Sequence, residues 1–214
     1  MATGGRTLAR VSVGTSGWSY PSWRPGFYPS GLDPSAFLAF YAERFPTVEL
    51  NTTGYRMPGV EQFRRWAEQA PDGFEFAPKL PGHRTGVLEA FDAGARALGD
   101  RLGPVRVSVK SARDEGLLEL VLGSLSPGLR VAFDLDHPSW DGIEERLAER
   151  GAVRVGDLDH PAPFRYLRRR DPPDEVFAER VRACAEPVYV YFRHEDEPTA
   201  PAYAQQLMEV LRTA

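Results

Sequence analysis

One cysteine, Cys184, stands in the 214 residues. A single thiol cannot close an intrachain disulfide, and it cannot build a cysteine-rich zinc site. No apolar run approaches the roughly 18 residues that a membrane span needs. The opening ten residues have no apolar core of the secretory type and read as a flexible N-terminal segment over 1–10. These absences make the reducing cytoplasm the expected compartment. Positive charge is not in excess either: 26 Lys and Arg face 30 Asp and Glu, a formal net charge of −4. That balance argues against a protein-wide electrostatic hold on nucleic acid, while a local basic groove stays open.

Turn formers are plentiful. The chain has 20 glycines and 19 prolines, as frequent switching between strands and helices requires. No stretch has linker composition, so residues 11–214 read as one domain. Eight β-type runs begin near Val11, Thr47, Glu75, Val105, Leu129, Ala152, Phe164 and Pro187. Amphipathic helical patterns separate most of them, as in Phe37, Leu38, Phe40 and Tyr41, or Phe63, Trp66, Ala67 and Ala70. Asp33 and Ser139 read as helix starts whose side chains cap free amides. Strand followed by helix, repeated, predicts a parallel sheet, and eight repeats predict a compact α/β barrel of (β/α)8, triose-phosphate-isomerase type. The span from Gly156 to Phe164 is too short for an ordinary helix, so the sixth unit is expected to be helix-poor. An open doubly wound sheet is the alternative. Its Gly-x-Gly-x-x-Gly phosphate loop is missing, because the first strand runs into Gly14-Thr15-Ser16-Gly17-Trp18.

Alternation within the strands assigns faces. Val48 and Leu50 alternate with Glu49 and Asn51, Phe74 and Phe76 are out of phase with Lys79, and Val105, Val107 and Val109 alternate with Arg106, Ser108 and Lys110. Val131, Phe133 and Leu135 alternate with Asp134 and Asp136, and Val153 and Val155 flank Arg154. In a barrel one set meets the helices and the other faces the axis. The inner set is therefore charged, with both signs, and must be paired, hydrated or bound to a ligand. A purely structural ion-pair network satisfies that demand. So does a site, and the histidines His83, His137, His160 and His194, which all follow strand ends, favour one: barrel active sites lie in the loops after strands.

Two pentapeptides, Asp134-Leu135-Asp136-His137-Pro138 and Asp157-Leu158-Asp159-His160-Pro161, repeat one pattern at two strand exits. Asp134, Asp136, His137, Asp157 and His160 are candidate ligands for a divalent metal; alternatively, His-Pro makes a turn and the aspartates cap it. Arg168-Arg169-Arg170 follows the seventh strand, where arginine forks can grip phosphate or carboxylate, or form a solvated turn with Asp171 and Asp174. Ser16 lacks a nucleophile elbow. Cys184 lies on an apolar helix face and reads as a structural thiol. Trp18, Tyr20, Trp23, Phe27 and Tyr28 crowd the first loop, where they can wall a pocket, stack on a sugar or base, or plug the barrel mouth.

These residues carry a family resemblance. Gly14-Thr15-Ser16-Gly17-Trp18-Ser19-Tyr20 with Trp23 and Phe27-Tyr28-Pro29 resembles the opening of the YecE-like family, domain of unknown function 72. Glu49-Leu50-Asn51-Thr52-Thr53 with Tyr55-Arg56-Met57-Pro58, Phe74-Glu75-Phe76-Ala77-Pro78-Lys79, His137-Pro138-Ser139-Trp140 and Tyr189-Val190-Tyr191-Phe192 are similar to its later blocks. The resemblance runs from about Val11 to the C-terminus. It implies a barrel of triose-phosphate-isomerase type and no established activity. The later rim departs from the family pattern: Asp136 replaces arginine, Ser108 glutamine, Lys110-Ser111 a proline pair, Gly54 an aromatic, Arg170 a histidine, and Arg193 and Tyr203 asparagines. This implies a changed substrate or a lost activity.

The leading expectation is an enzyme, of hydrolase or lyase type, acting on an anionic, phosphorylated or sugar-like small molecule. Glu49 is the expected general acid–base group. Lys79 holds developing negative charge or forms a Schiff base, and Asp134 is the third catalytic candidate. Arg56, Arg168, Arg170 and Arg193 would bind the anion; Trp18, Tyr20, Asn51, Tyr55, His137 and Trp140 would complete the pocket. Two alternatives stand beside it: a nucleic-acid phosphodiesterase-like enzyme or binder, and a catalytically inactive ligand-binding or interaction protein. Two pairings are expected as well. Glu49 and Lys79 would compensate each other, and Asp136 and Arg193 would form an ion pair across the mouth.

Overall fold

The β-branched and aromatic runs become strands that start within two residues of their expected positions. They are β1 Val11–Ser16, β2 Thr47–Leu50, β3 Glu75–Pro78, β4 Val105–Val109, β5 Val131–Leu135, β6 Ala152–Arg154, β7 Arg165–Arg169 and β8 Val188–Phe192. The structure, a computed structural model, describes residues 10–193 and 198–213. The expected N-terminal segment, apart from Arg10, and His194 lie outside the described residues. Every strand pair is parallel, in a five-stranded sheet ordered β3-β2-β1-β8-β7 and a three-stranded sheet ordered β4-β5-β6. Hydrogen bonds cross between the sheets at both ends of this order. Leu80 donates to the Arg106 carbonyl at 2.8 Å, Gly103 to that of Phe76 at 2.7 Å, and Gly156 to that of Tyr166 at 2.9 Å.

Seven α-helices occur among the described residues: α1 Phe37–Ala42, α2 Val60–Gln69, α3 Thr85–Arg96, α4 Glu115–Ser124, α5 Glu144–Glu149, α6 Glu175–Ala183 and α7 Thr199–Arg212. The span from β6 to β7 contains none, as its length demanded. Asp33 caps a 3-10 turn, Pro34–Ala36, that leads into α1, its carboxylate accepting from the Ser35 amide. Ser139 does not start a helix. It lies inside a 3-10 turn, Pro138–Trp140, and the ring of His137 accepts from its amide.

Apolar burial divides into three groups. Helices α1, α6 and α7 cover the outer face of the five-stranded sheet through Val13, Val48, Phe76, Val188 and Val190. On the three-stranded sheet, Val105, Val107, Val131 and Phe133 pack beside α3, α4 and α5. A third cluster, Ala77, Ala132, Val153, Phe164, Tyr166, Tyr189 and Tyr191, draws residues from both sheets and lies between them. The charged set shares this inner phase, with one correction. At β6 the face is reversed: Val153 joins the inner cluster, while Arg154 turns outward to Glu144 at 2.7 Å and Asp141 at 3.1 Å. A three-residue strand holds too little alternation to fix its face from sequence, and a one-residue slip exchanges the faces.

Close approach of β1 to β2 depends on Gly14. The buried hydroxyl of Tyr41, carried on α1, accepts from the Thr15 amide at 2.8 Å and donates to the Thr47 carbonyl at 3.0 Å. A β-carbon on residue 14 would overlap that same Thr47 carbonyl oxygen. Gly14→Ala is therefore expected to cost on the order of 1–3 kcal/mol, the usual range for overpacking. Urea unfolding measures this, and a loss below about 0.5 kcal/mol would show that the strands yield at little cost.

Candidate functional site

The strand ends bring four charges into a closed ring. Glu49, on β2, is fully buried at 0% exposure. Its Oε1 accepts from Ser16 Oγ at 2.5 Å and from Arg168 Nη2 at 2.9 Å. Its Oε2 accepts from Tyr166 Oη at 2.7 Å and lies 3.1 Å from Arg106 Nε. Arg106 and Arg168 both also reach Asp134, Arg168 at 3.5 Å. Each arginine thus contacts both carboxylates, and the ring Arg106–Glu49–Arg168–Asp134 sums to zero charge. Arg106 further donates to Asn51 Oδ1 at 3.0 Å. Burial alone would raise the Glu49 pKa; the adjacent Arg168 and Arg106, with the Ser16 and Tyr166 hydrogen bonds, outweigh it and hold the pKa at about 2. A carboxylate so weakly basic and so fully engaged is a poor proton acceptor at neutral pH. Its environment suits an anchor that orients two arginines.

Above this ring a cavity of about 360 Å³ opens, lined by Ser16, Asn51, Tyr55, Lys79, Arg106, Ser108, Lys110, Asp134, Asp136, Arg168 and Arg193. Once the balanced ring is set aside, Lys79, Lys110 and Arg193 face one carboxylate, Asp136. Among the described residues no carboxylate lies within 4.0 Å of any of the three cations. Burial, then the neighbouring Arg106, lowers the pKa of Lys79; burial, then Arg168 and Arg170, lowers that of Arg193. The Lys79 ammonium rests 4.6 Å from the centre of the Tyr55 ring, which is itself 79% exposed. Gly54 makes this placement possible, because a β-carbon there would collide with the Lys79 stem.

A second cavity, of about 680 Å³, adjoins the first and includes Trp18, Tyr20, Leu50, Arg56, Met57, Pro58, Arg65 and Trp66. Trp18 meets Trp66 edge-to-face at 5.5 Å. Burial, with Glu49 and Tyr55 nearby, pushes the Tyr20 pKa up to about 12.

The sequence-assigned residues therefore separate. Asn51, Tyr55, Lys79, Asp134, Arg168 and Arg193 line the charged cavity, with Glu49 directly beneath; Trp18, Tyr20 and Arg56 line the aromatic one. Trp140 belongs to neither. It is fully buried in the core of the three-stranded sheet, its Nε1 donating to the Ser111 carbonyl at 2.9 Å. His137 and Arg170 are exposed and line neither cavity. The arginine triplet fans out: Arg168 points to Glu49, and Arg169 stacks over Phe177 at 4.2 Å.

Both expected pairings are corrected. Lys79 is not the partner of Glu49, whose partners are Arg106 and Arg168. Asp136 and Arg193 line one cavity without forming an ion pair. The metal candidates do not converge either: no group of three or more His, Cys, Asp or Glu able to hold a metal occurs among the described residues. Two arginines occupy Asp134. Asp157 caps its own turn, accepting from the Asp159 amide at 3.0 Å and from His160 Nδ1 at 3.0 Å. Sequence reading missed Tyr166 as a partner of Glu49, and it noted Arg106 only as part of the charged inner set. The period-two spacing of Tyr166 and Arg168 on β7 was the available signal.

Removing the Glu49 charge tests the ring. Glu49→Gln leaves two buried guanidiniums short of a partner, and such a change costs about 3–5 kcal/mol. Acid provides an independent check. A native pKa of about 2, against 4.5 for an unperturbed group, means the unfolded chain binds this proton first. The stabilisation is complete above about pH 4.5 and fades as pH falls toward 2. The wild type should lose more stability than Glu49→Gln across that window in pH-dependent urea unfolding. Equal losses would place the acid sensitivity elsewhere.

Comparison with known proteins places this geometry. The chain is 29% identical over 161 residues to the UPF0759 protein YecE of Escherichia coli (strain K12), covering 68% of this chain and 56% of that protein. It is 27% identical over 93 residues to the UPF0759 protein YunF of Bacillus subtilis (strain 168), covering 39% of this chain and 32% of that one. The chain thus spans about half the length, or less, of the curated relatives it matches. Two crystal structures of a DUF72 family protein from Enterococcus faecalis V583 share the fold. One has a TM-score of 0.77 at 18% identity, covering 95% of this chain and 96% of that one; the other has 0.72 at 15%, covering 96% and 99%. No helix among the described residues is long and apolar enough to cross a membrane. A family model matches residues 12–214, and the chain belongs to the family described as Protein of unknown function DUF72.

Proposed function

We propose that the eight strands complete a closed (β/α)8 barrel over residues 11–214, and that its C-terminal rim binds a small anionic molecule. The hydrogen bonds across both seams between the sheets support closure, as does an inner cluster fed from both. The observation that carries the ligand assignment is the set of three cations, Lys79, Lys110 and Arg193, which share the charged cavity without a carboxylate partner among the described residues. Concentrated like charge is costly unless something opposite arrives, and an anion bound there relieves it. Phosphate and carboxylate both fit this donor set.

In this reading Glu49 is a positioning residue that aims Arg106 and Arg168. Lys79 is the group best placed for proton transfer, since its lowered pKa favours release of its proton. Binding is the primary assignment; turnover of a bound anion would add Lys79 as its acid–base group.

Two measurements on Lys79 test the site. Its charge is disfavoured where it lies, so Lys79→Met should melt at or above the wild-type temperature, as functional sites commonly sacrifice stability. The same variant should weaken calorimetric binding of inorganic phosphate or a small carboxylate about tenfold, the equivalent of roughly 1.4 kcal/mol. Only protonated lysine attracts an anion, so wild-type affinity should fall as pH rises through a midpoint below the 10.5 of an unperturbed lysine. That step should vanish in Lys79→Met. Wild-type protein that binds neither anion at low salt would overturn the proposal.

A further inference from the structure

The two cavities share a wall. Ser16 lines the charged cavity and Gly17 the aromatic one; Asn51 and Thr52 divide in the same way, as do Tyr55 and Arg56. Two separate chain segments, 16–17 and 51–56, therefore present consecutive residues to both cavities, the second of them twice. Tyr20 ties the wall together, its hydroxyl donating to the Ser16 carbonyl at 3.0 Å.

The cavities differ in chemistry. The larger, at about 680 Å³, is within the usual range for small-molecule pockets. Its indoles do not lie parallel: Trp18 and Trp66 cross at 88°, and Trp66 is fixed from behind by Phe76, with which it stacks at 24°. Leu50, Met57 and Pro58 add apolar wall. Arg56 and Arg65 are exposed at the rim, and neither has a carboxylate within 4.0 Å among the described residues. A rigid aromatic wall with guanidinium planes at its edge suits a flat ring, which stacks on indole and guanidinium alike.

We infer that the ligand is bipartite: an anionic group seated on Lys79, Arg168 and Arg193, joined to a planar aromatic ring held between Trp18 and Arg56. This rests on the anion site proposed above and extends it to the ligand's second half. Ring-bearing phosphates, such as a nucleoside monophosphate, belong to the class. A bare anion fills one cavity, and an uncharged ring system the other.

Calorimetry with four probes separates the halves: inorganic phosphate, phenyl phosphate, a nucleoside monophosphate and the corresponding nucleoside. The ring-bearing phosphates should bind about tenfold tighter than inorganic phosphate, as one stacked ring commonly contributes, and should change tryptophan fluorescence. Trp18→Leu should abolish that advantage while affinity for inorganic phosphate stays unchanged. Because Trp18 also packs on Phe76 at 6.4 Å, Arg56→Ala serves as a second variant outside the core, expected to reduce the advantage at least about threefold. If inorganic phosphate binds but the ring adds nothing, or if both variants keep the full advantage, the bipartite ligand is refuted and the anion site stands. If no phosphate binds, the anion site fails and this inference fails with it.

Discussion

Glu49 sets the constraint that the rest of the interior obeys. An ionised carboxylate withdrawn completely from water costs several kcal/mol unless its charge and lone pairs are met. Four groups from three other strands meet them: Ser16 from β1, Arg106 from β4, and Tyr166 and Arg168 from β7. Those partners span both sheets, so the requirement of one side chain ties the five-stranded sheet to the three-stranded one. The arginines import a new excess of charge, which Asp134 on β5 balances. The ring is the smallest arrangement in which every member touches two opposite charges.

The opposite ends of the strands handle charge differently. Near the strand beginnings Glu75 receives Arg130 at 2.7 Å and the Tyr189 hydroxyl at about 3.1 Å, with Arg10 at 3.1 Å. That cluster gathers cations around a carboxylate, and the Arg130 guanidinium lies over the Tyr189 ring. At the strand exits the compensated ring is overlaid by cations with no such partner. Both ends thus hold more cations than carboxylates, but Arg10 and Arg130 touch Glu75, whereas at the exits Lys79, Lys110 and Arg193 have no carboxylate within 4.0 Å among the described residues. That difference in pairing supports the anion site proposed above.

Much of this was legible from the sequence. Period-two alternation located eight strands and put Glu49, Lys79, Arg106 and Asp134 on inner faces, because their strands are long enough to fix their phase; Arg168, expected just past the seventh strand, lies within β7. Shortage of chain after Gly156 revealed the missing helix. Pairing was not legible. Glu49 and Lys79 were expected to compensate each other as opposite charges on the inner face, yet Arg106 and Arg168 are the cations that reach the carboxylate. Trp140 and His137 were drawn into the expected pocket by motif alone; the turn at Pro138 instead buries the indole against the Ser111 carbonyl. Nor did the repeated Asp-Leu-Asp-His-Pro imply a repeated role. Asp134 is still within reach of two arginines, whereas Asp157, past the end of a three-residue strand, has only its own turn and Arg165 to satisfy.

The departures that the family resemblance implies at the rim rearrange its charges around one cavity. Asp136 and Arg193 do not exchange one ion pair for another, since they share a cavity without meeting. Gly54 couples to Lys79 sterically: any larger residue there must displace the lysine stem. The glycine thus admits the ammonium to the cavity, where it rests against the Tyr55 ring. Lys110, just past the end of β4, adds a further cation. Set against the family resemblance, the rim redistributes charge rather than gaining it: Asp136 in place of an arginine offsets Lys110 and Arg193 in the same cavity, while the space at Gly54 admits the Lys79 stem.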